Sequence, residues 1–209
     1  MGGKRPGGMA LLKALACSIS PKTAGLLLGR YVAKMQGGGA AVRIDTRTRA
    51  VQSLVSLLGA FIGISVIGYM AFHFSLPLLL APFGASAVLL FSVYDSPLAQ
   101  PRNTVFGHAL AAFIGGMVAI AHNVYFGNVN SESYVWIAAS VAVSIAAMQF
   151  LRLTHPPAGA TAFIASTSVS GVESLATFMV PVMAGAAILV GVAIAFNNAI
   201  QSRKYPTYW

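Results

Sequence analysis

Long runs of apolar residues alternate with short polar segments over most of this chain. An apolar run of about 20 residues forms a helix long enough to cross the hydrocarbon core of a membrane. The pattern predicts an all-α, polytopic membrane helical bundle. Its six spans are expected at about residues 51–72, 78–94, 104–121, 134–151, 158–170 and 175–198. The fifth covers only about 20 Å, which is less than the thickness of that core.

A short motif occurs twice, 75 residues apart. Residues 82–87 read Pro-Phe-Gly-Ala-Ser-Ala, and residues 157–162 read Pro-Ala-Gly-Ala-Thr-Ala. The same offset brings spans one and three roughly onto spans four and six. Each half then has an odd number of spans, so the halves must lie in the membrane in opposite orientations. The sequence therefore predicts two inverted three-helix repeats, at about 50–124 and 133–199, each with a short or broken second helix.

Each motif copy predicts the exposed start of a helix. Proline is tolerated there, and glycine and alanine leave the first backbone N–H groups uncovered. Such a start attracts a small anion. The predicted substrate-binding residues are Gly84, Ala85, Ser86, Gly159, Ala160 and Thr161. The alternative is that both copies are simply stretches of small residues that pack closely.

The composition is that of a membrane protein and not of a soluble domain. Of 209 residues, 57% are hydrophobic and only 8% are charged. The 13 Lys and Arg residues outnumber 4 Asp and Glu, and most of them precede residue 51. Basic flanks on an apolar protein reflect membrane orientation and contact with anionic lipid, so nucleic acid is not expected as a partner.

Charge also tests the number of crossings. With six, one side of the membrane receives all 13 basic residues. If spans two and five instead re-entered the membrane, Arg102 and Arg152 would move to the other side. The distribution favours six crossings with both termini cytoplasmic, and we expect a bacterial inner (plasma) membrane. Residues 1–49 form a basic N-terminal arm, partly amphipathic or flexible, residues 50–199 form the transmembrane domain, and residues 200–209 form the cytoplasmic tail.

No acidic residue lies within a predicted span, which argues against a cation pump driven by carboxylates. The polar groups near the inner helix ends are neutral or basic, and such a field suits an anion. We expect a gating or electrostatic role for Arg102, Asn103, His108, Arg152, Asn197 and Asn198. The alternative for the arginines is that they only anchor helix ends at the interface.

His155 directly precedes two prolines, so its backbone is expected to be extended. It could donate a hydrogen bond to a bound anion, or it could simply satisfy loop carbonyls. The single cysteine, Cys17, and the absence of histidine pairs with ligand spacing predict no metal site. Because no catalytic set or cofactor motif is visible, the sequence predicts neither a cofactor nor an enzyme.

Several segments resemble the HPP family of integral membrane proteins, named for its His-Pro-Pro motif. They include 83–89, 95–97, 100–103, His155–Ala160, Gly107–His108, Asn197–Asn198 and the closing Tyr-Pro-Thr-Tyr-Trp of residues 205–209. The chain looks like the short bacterial-type form, without an appended regulatory domain, and residues 1–30 fall outside the match. Because some members are implicated in nitrite transport, the resemblance implies a membrane transporter and makes nitrite the leading candidate.

The sequence thus predicts transport of a small monovalent anion, with nitrite as the leading candidate, bound at opposed helix N-termini near the bilayer midplane. Its expected partners are a small inorganic anion and membrane lipid, and the sequence leaves self-association open. The alternative is a non-transporting membrane scaffold or sensor whose basic arm binds a partner. The scaffold or sensor hypothesis would be favoured if deletion of residues 1–40 abolished function and no flux were measurable.

Overall fold

The computed structural model describes residues 46–75, 80–127 and 133–208, and residues 1–45 of the predicted N-terminal arm lie outside them. The described residues form a bundle of six α-helices with no strand. Their bounds are α1 (Thr46–His73), α2 (Ala81–Ser92), α3 (Pro101–Phe126), α4 (Tyr134–Phe150), α5 (Pro156–Ser168) and α6 (Val172–Asn198). A 3₁₀ helix, Pro97–Ala99, connects α2 to α3. The predicted helical membrane bundle is confirmed.

The helices fall into two length classes. In the described part of the chain, α1, α3 and α6 are long and apolar enough to cross a membrane, with 28, 26 and 27 residues. The second helix of each predicted repeat is short, with 12 residues in α2 and 13 in α5. At 1.5 Å per residue these two helices extend only about 18–20 Å.

Proline sets the first turn of α2, α3 and α5. Its fixed φ suits a helix start, and its missing N–H would have no partner there. Helix α3 is followed by Gly127, whose φ of 80° lies in the left-handed region that glycine adopts easily.

Helix α3 packs against α4, α5 and α6. A Cβ added at Gly115 would lie 2.4 Å from the backbone oxygen of Ala162 in α5. A Cβ at Gly107 would lie 2.9 Å from Cβ of His155. Glycine at these two positions therefore lets α3 approach both α5 and the segment that precedes it.

A cluster of apolar side chains joins α1, α2 and α6. It contains the buried side chains of Ile67, Phe83, Leu90, Phe91 and Leu189. The ring of Phe83 lies where a Cβ at Gly185 would stand, with 2.4 Å between the two positions. This contact fixes the first turn of α2 against α6.

The C-terminal residues fold back onto the connection between α2 and α3. The hydroxyl of Tyr205 donates to the backbone oxygen of Ala99 at 2.7 Å, and its side chain is 1% exposed. The backbone N–H of Thr207 donates to Oε1 of Gln100 at 2.9 Å. The tail therefore holds the 3₁₀ helix in place.

Candidate functional site

Four buried polar side chains form one hydrogen-bonded cluster between α2, α3 and α5. Ser86 of α2, His108 of α3, His155 before α5 and Thr161 of α5 are each at most 1% exposed. Oγ of Ser86 lies 2.9 Å from Nε2 of His108 and 2.9 Å from Nε2 of His155. Nδ1 of His108 lies 2.7 Å from Oγ1 of Thr161. We call these four side chains the histidine cluster.

Small residues on α3 bring the cluster together. His108 shares a helix face with Ala111 and Gly115, which are spaced at one helical turn each. Because neither has a large side chain, α3 comes close enough to α5 for the His108 ring to bridge α2 and α5. The rings of His108 and His155 pack edge to face with centroids 4.9 Å apart.

His155 ends the cluster at the 3₁₀ helix. Its backbone is extended, as its position before Pro156 predicts, with φ −138° and ψ 101°. Nδ1 of its ring lies 2.8 Å from the backbone oxygen of Leu98 in that helix. His155 thus contacts both a motif hydroxyl and a loop carbonyl.

The two helix starts are not closed by side chains. Leu80 and His155 occupy the N-cap positions of α2 and α5, and neither makes a side-chain capping bond. A Cβ added at Gly84 or Gly159 would meet no atom within 4 Å. Within each motif copy, the hydroxyl is buried in the histidine cluster, whereas the Gly-Ala pair is turned outward: Gly84, Ala85 and Ala160 are exposed, and Gly159 is half-buried.

A cavity of about 440 Å³, which we call the arginine cavity, lies beside the start of α5. Its walls are Pro97, Leu98, Arg102, Asn103, Gln149, Arg152, Thr154 and Tyr208. Arg102 is exposed and donates to the backbone oxygen of Leu151 at 3.3 Å, and Asn103 donates to the backbone oxygen of Thr154 at 3.0 Å. Two predicted electrostatic residues, Arg102 and Arg152, therefore share one cavity.

A second cavity, of about 640 Å³, lies beside the start of α2. We call it the serine cavity, and it is lined by Leu80, Ser168, Ser170, Gly171, Val172, Glu173, Ser174, Thr177, Phe178 and Pro181. Leu80 is the N-cap of α2, and Ser168 is the last residue of α5. The serine cavity therefore contacts the start of α2 and the end of α5, whereas the arginine cavity lies just before the start of α5, so about 20 Å of helix separates the two.

The remaining predicted residues, Asn197 and Asn198, lie apart from both cavities and hold the tail. The side-chain amide of Asn197 donates to the backbone oxygen of Leu90 at 3.0 Å and accepts from Arg203 at 2.9 Å. Asn198 accepts from the N–H of Tyr205 at 3.0 Å and donates to its carbonyl. Among the residues described, no group of three His, Cys, Asp or Glu side chains could hold a metal ion.

Two contributors to the site escaped the sequence analysis. One is the carbonyl of Leu98, since a backbone group leaves no sign in the residue type. The other is Gln100, which is fully buried and donates to the backbone oxygens of Tyr94 and Ser96 at 3.1 and 2.8 Å. A signal for Gln100 was present, because it belongs to the run of residues 100–103 that carries part of the family resemblance.

Residues 45–206 match the HPP transmembrane region. The chain belongs to the HPP family. It is 40% identical over 160 residues to a transmembrane protein of Dictyostelium discoideum, covering 73% of this chain and 54% of that protein. A second transmembrane protein of the same organism is 38% identical over 159 residues, covering 74% of this chain and 50% of that protein.

This HPP protein therefore spans about half the length of the relatives it matches. No solved structure matches it. The family and the apolar helices together establish an integral membrane protein.

Proposed function

We propose that this HPP protein carries a small monovalent anion across the membrane, with nitrite as the first candidate. The observation that supports this most is the joining of the two motif copies. Ser86 and Thr161 hold equivalent motif positions, and both bind the ring of His108. The helix starts on either side of this contact carry no capping side chain.

An anion is the ligand that this chemistry favours. The start of a helix carries partial positive charge from its aligned peptide dipoles, which attracts small anions. At α5 this attraction comes from the dipole, because the first two residues are prolines without an N–H and the third N–H donates to the backbone oxygen of His155. Arg102 and Arg152 add two full positive charges at the cavity beside the start of α5. In this proposal they raise the local concentration of the anion and gate its access to Gly159 and Thr161.

The proposed route connects the two cavities past the histidine cluster. The bounds of α2, moved by 75 residues, fall on those of α5 to within one residue. We therefore retain the inverted repeat as part of the proposal, with both termini in the cytoplasm of a bacterial cell. In an inverted-repeat carrier, rocking of one half against the other opens each side in turn, and the substrate binds at the interface between the halves.

The direct test is nitrite uptake into liposomes that contain the purified protein. Uptake should exceed that of protein-free vesicles. Replacing Arg102→Gln and Arg152→Gln together should raise KM several-fold, because two partly solvated charges contribute about 1 kcal/mol of attraction at this range. Lys204→Gln is the matched control, since Lys204 is exposed on the tail and does not line the arginine cavity.

Equal KM values for the double variant and the Lys204→Gln control would remove the arginines from the mechanism. Uptake no faster than in protein-free vesicles, with nitrite and with other small anions, would overturn the transport proposal.

A further inference from the structure

Two imidazole rings approach a single hydroxyl oxygen in the histidine cluster. Nε2 of His108 and Nε2 of His155 both lie 2.9 Å from Oγ of Ser86. A serine hydroxyl has one proton to donate and two lone pairs that accept. The three side chains cannot therefore choose their hydrogen positions independently.

The carbonyl of Leu98 fixes the first ring. A carbonyl oxygen only accepts, so Nδ1 of His155 must carry the proton in the 2.8 Å contact. When His155 is neutral, its Nε2 has no proton and accepts. The Ser86 hydroxyl must then donate to Nε2 of His155.

Ser86 in turn fixes the second ring. Its only proton is directed at His155, so its contact with His108 requires that Nε2 of His108 donate. Neutral His108 then accepts at Nδ1, and the hydroxyl of Thr161 donates to it. The two neutral rings are therefore opposite tautomers in one chain of donors that runs from Thr161 to Leu98.

The same atoms can also hold one additional proton without losing a partner. If Nε2 of His155 is protonated, it donates to Oγ of Ser86, as Nε2 of His108 already does. The Ser86 hydroxyl then turns to the backbone oxygen of Pro82, which lies 3.2 Å away. Every donor in this cationic arrangement still has an acceptor.

We infer that the histidine cluster takes up one proton with each anion, so that the protein is an electroneutral proton–anion symporter. This inference rests on the proposed function. A lone charge is costly to bury, whereas opposite charges that bind together offset much of that cost. An imidazolium at His155 would stand beside the uncapped start of α5, where the anion is proposed to bind.

Near His155, the bound anion is the group that would offset the positive charge of an added proton. Helices α2 and α5 contain no acidic or basic side chain. The other titratable group facing His155 is His108, and Arg102 and Arg152 line the cavity beyond Leu98. No carboxylate of the described residues contacts the cluster to neutralise an imidazolium. His155 is fully buried here, so the rocking of the two halves would expose it to water on each side in turn. Its Nε2 would take the proton from water on one side and return it to water on the other, and no covalent bond forms with the anion.

The test measures proton and nitrite movement together in liposomes containing the full chain. Protein-free vesicles give the baseline, because nitrous acid crosses lipid unaided. We expect one proton to enter with each nitrite and the rate to be unaffected by an imposed membrane potential. His155→Gln keeps one donor and one acceptor but cannot hold the extra proton, so proton-driven uptake should fall by at least about tenfold.

His122→Gln is the matched control. His122 lies on α3, is 4% exposed and contacts Oγ of Ser133 at 3.0 Å. It is 14 residues from His108, about 21 Å along the helix. Its replacement should leave the proton-to-nitrite ratio unchanged, and a loss equal to that of His155→Gln would overturn the assignment to the histidine cluster.

A measurement on the unaltered chain guards against variants that misfold. Nitrogen NMR of histidine-labelled protein in bilayers should show His108 protonated at Nε2 and His155 at Nδ1, and nitrite at constant pH should convert His155 to imidazolium. Nitrite flux that carries charge, or an unchanged spectrum on addition of nitrite, would overturn the symport inference alone. Absence of flux both with nitrite and with other small anions would overturn the proposed function and this inference with it.

Discussion

Ser86 and Thr161 bind opposite nitrogens of the same imidazole. Oγ of Ser86 lies 2.9 Å from Nε2 of His108, and Oγ1 of Thr161 lies 2.7 Å from Nδ1. The two hydroxyls are 75 residues apart in the sequence and occupy the same position in the repeated motif. One side chain from α3 thus connects the two short helices, and a change at either hydroxyl should be felt at the other.

Removing the Thr161 hydroxyl should destabilise the protein. Thr161→Val keeps the shape of the side chain but leaves Nδ1 of the buried His108 ring without a partner, at a cost of about 1–3 kcal/mol. Thermal unfolding in detergent measures the loss. Thr167→Val on the same helix is the control, because Thr167 is exposed and bonds only to carbonyls of its own helix. Its effect should stay within about 0.5 kcal/mol, and equal losses would show that His108 does not depend on Thr161.

Two glycine-to-alanine changes should have opposite effects on stability. Gly115→Ala places a methyl group 2.4 Å from a backbone oxygen of α5 and should cost about 1–3 kcal/mol, since backbone cannot easily move aside. Gly159→Ala meets no atom within 4 Å and gains up to about 1 kcal/mol in helix propensity.

Thermal unfolding compares the two variants, and nitrite uptake adds a second readout. If the anion approaches the α5 backbone at Gly159, Gly159→Ala should slow uptake although it does not destabilise the fold. Unchanged uptake in this stable variant would remove Gly159 from the binding site.

Docking of the tail should weaken at alkaline pH. Burial raises the pKa of the Tyr205 phenol, whereas a released tyrosine titrates near about pH 10. The released tail therefore loses its proton first, so docking should be constant below about pH 9 and weaken above about pH 10. Protease sensitivity of the tail as a function of pH tests this.

Tyr205→Phe tests whether the alkaline transition belongs to the Tyr205 phenol and not to another tyrosine. The variant lacks the bond to Ala99, so docking should be weaker by about 0.5–1.5 kcal/mol at neutral pH. It should also lose the additional weakening above about pH 10. An identical alkaline profile in the variant would assign the transition to a different group.

Asn198→Ala should loosen the tail without stopping transport. Its side chain bonds to both backbone groups of Tyr205, and it lines neither cavity. We expect faster digestion by carboxypeptidase and nitrite uptake within about twofold of the unaltered protein. A much larger loss of uptake with an undigested tail would restore the gating role that the sequence predicted for Asn198.

The sequence predicted the helices well because their boundaries are marked by chemistry. Apolar runs locate the spans, and prolines at 82, 101 and 156 mark three of the starts. Predicted and observed ends differ by only a few residues. The short second helices were predicted from the repeated motif, since both copies place proline and glycine at the start of a helix.

The arrangement of the site was harder to predict. Ser86, His108, His155 and Thr161 were all identified, but His108 was assigned to the inner mouth and not to the centre of the cluster. The spacing of His108, Ala111 and Gly115 on one face contained that information. The sequence could not show where the two helix starts lie relative to the cavities. It also could not show the return of the tail, because the contact between Tyr205 and Ala99 joins residues 106 positions apart.

The shortness of α2 and α5 has an electrical consequence. Each helix extends about 18–20 Å, against a hydrocarbon core of about 30 Å, and water that filled both cavities would reach either end of α5. Most of the transmembrane voltage then falls across a layer no thicker than one of these helices. A bare anion crossing that thin layer would do or receive work of about 2.3 kcal/mol for every 100 mV, whereas a proton and an anion moving as a pair would cross it without electrical work.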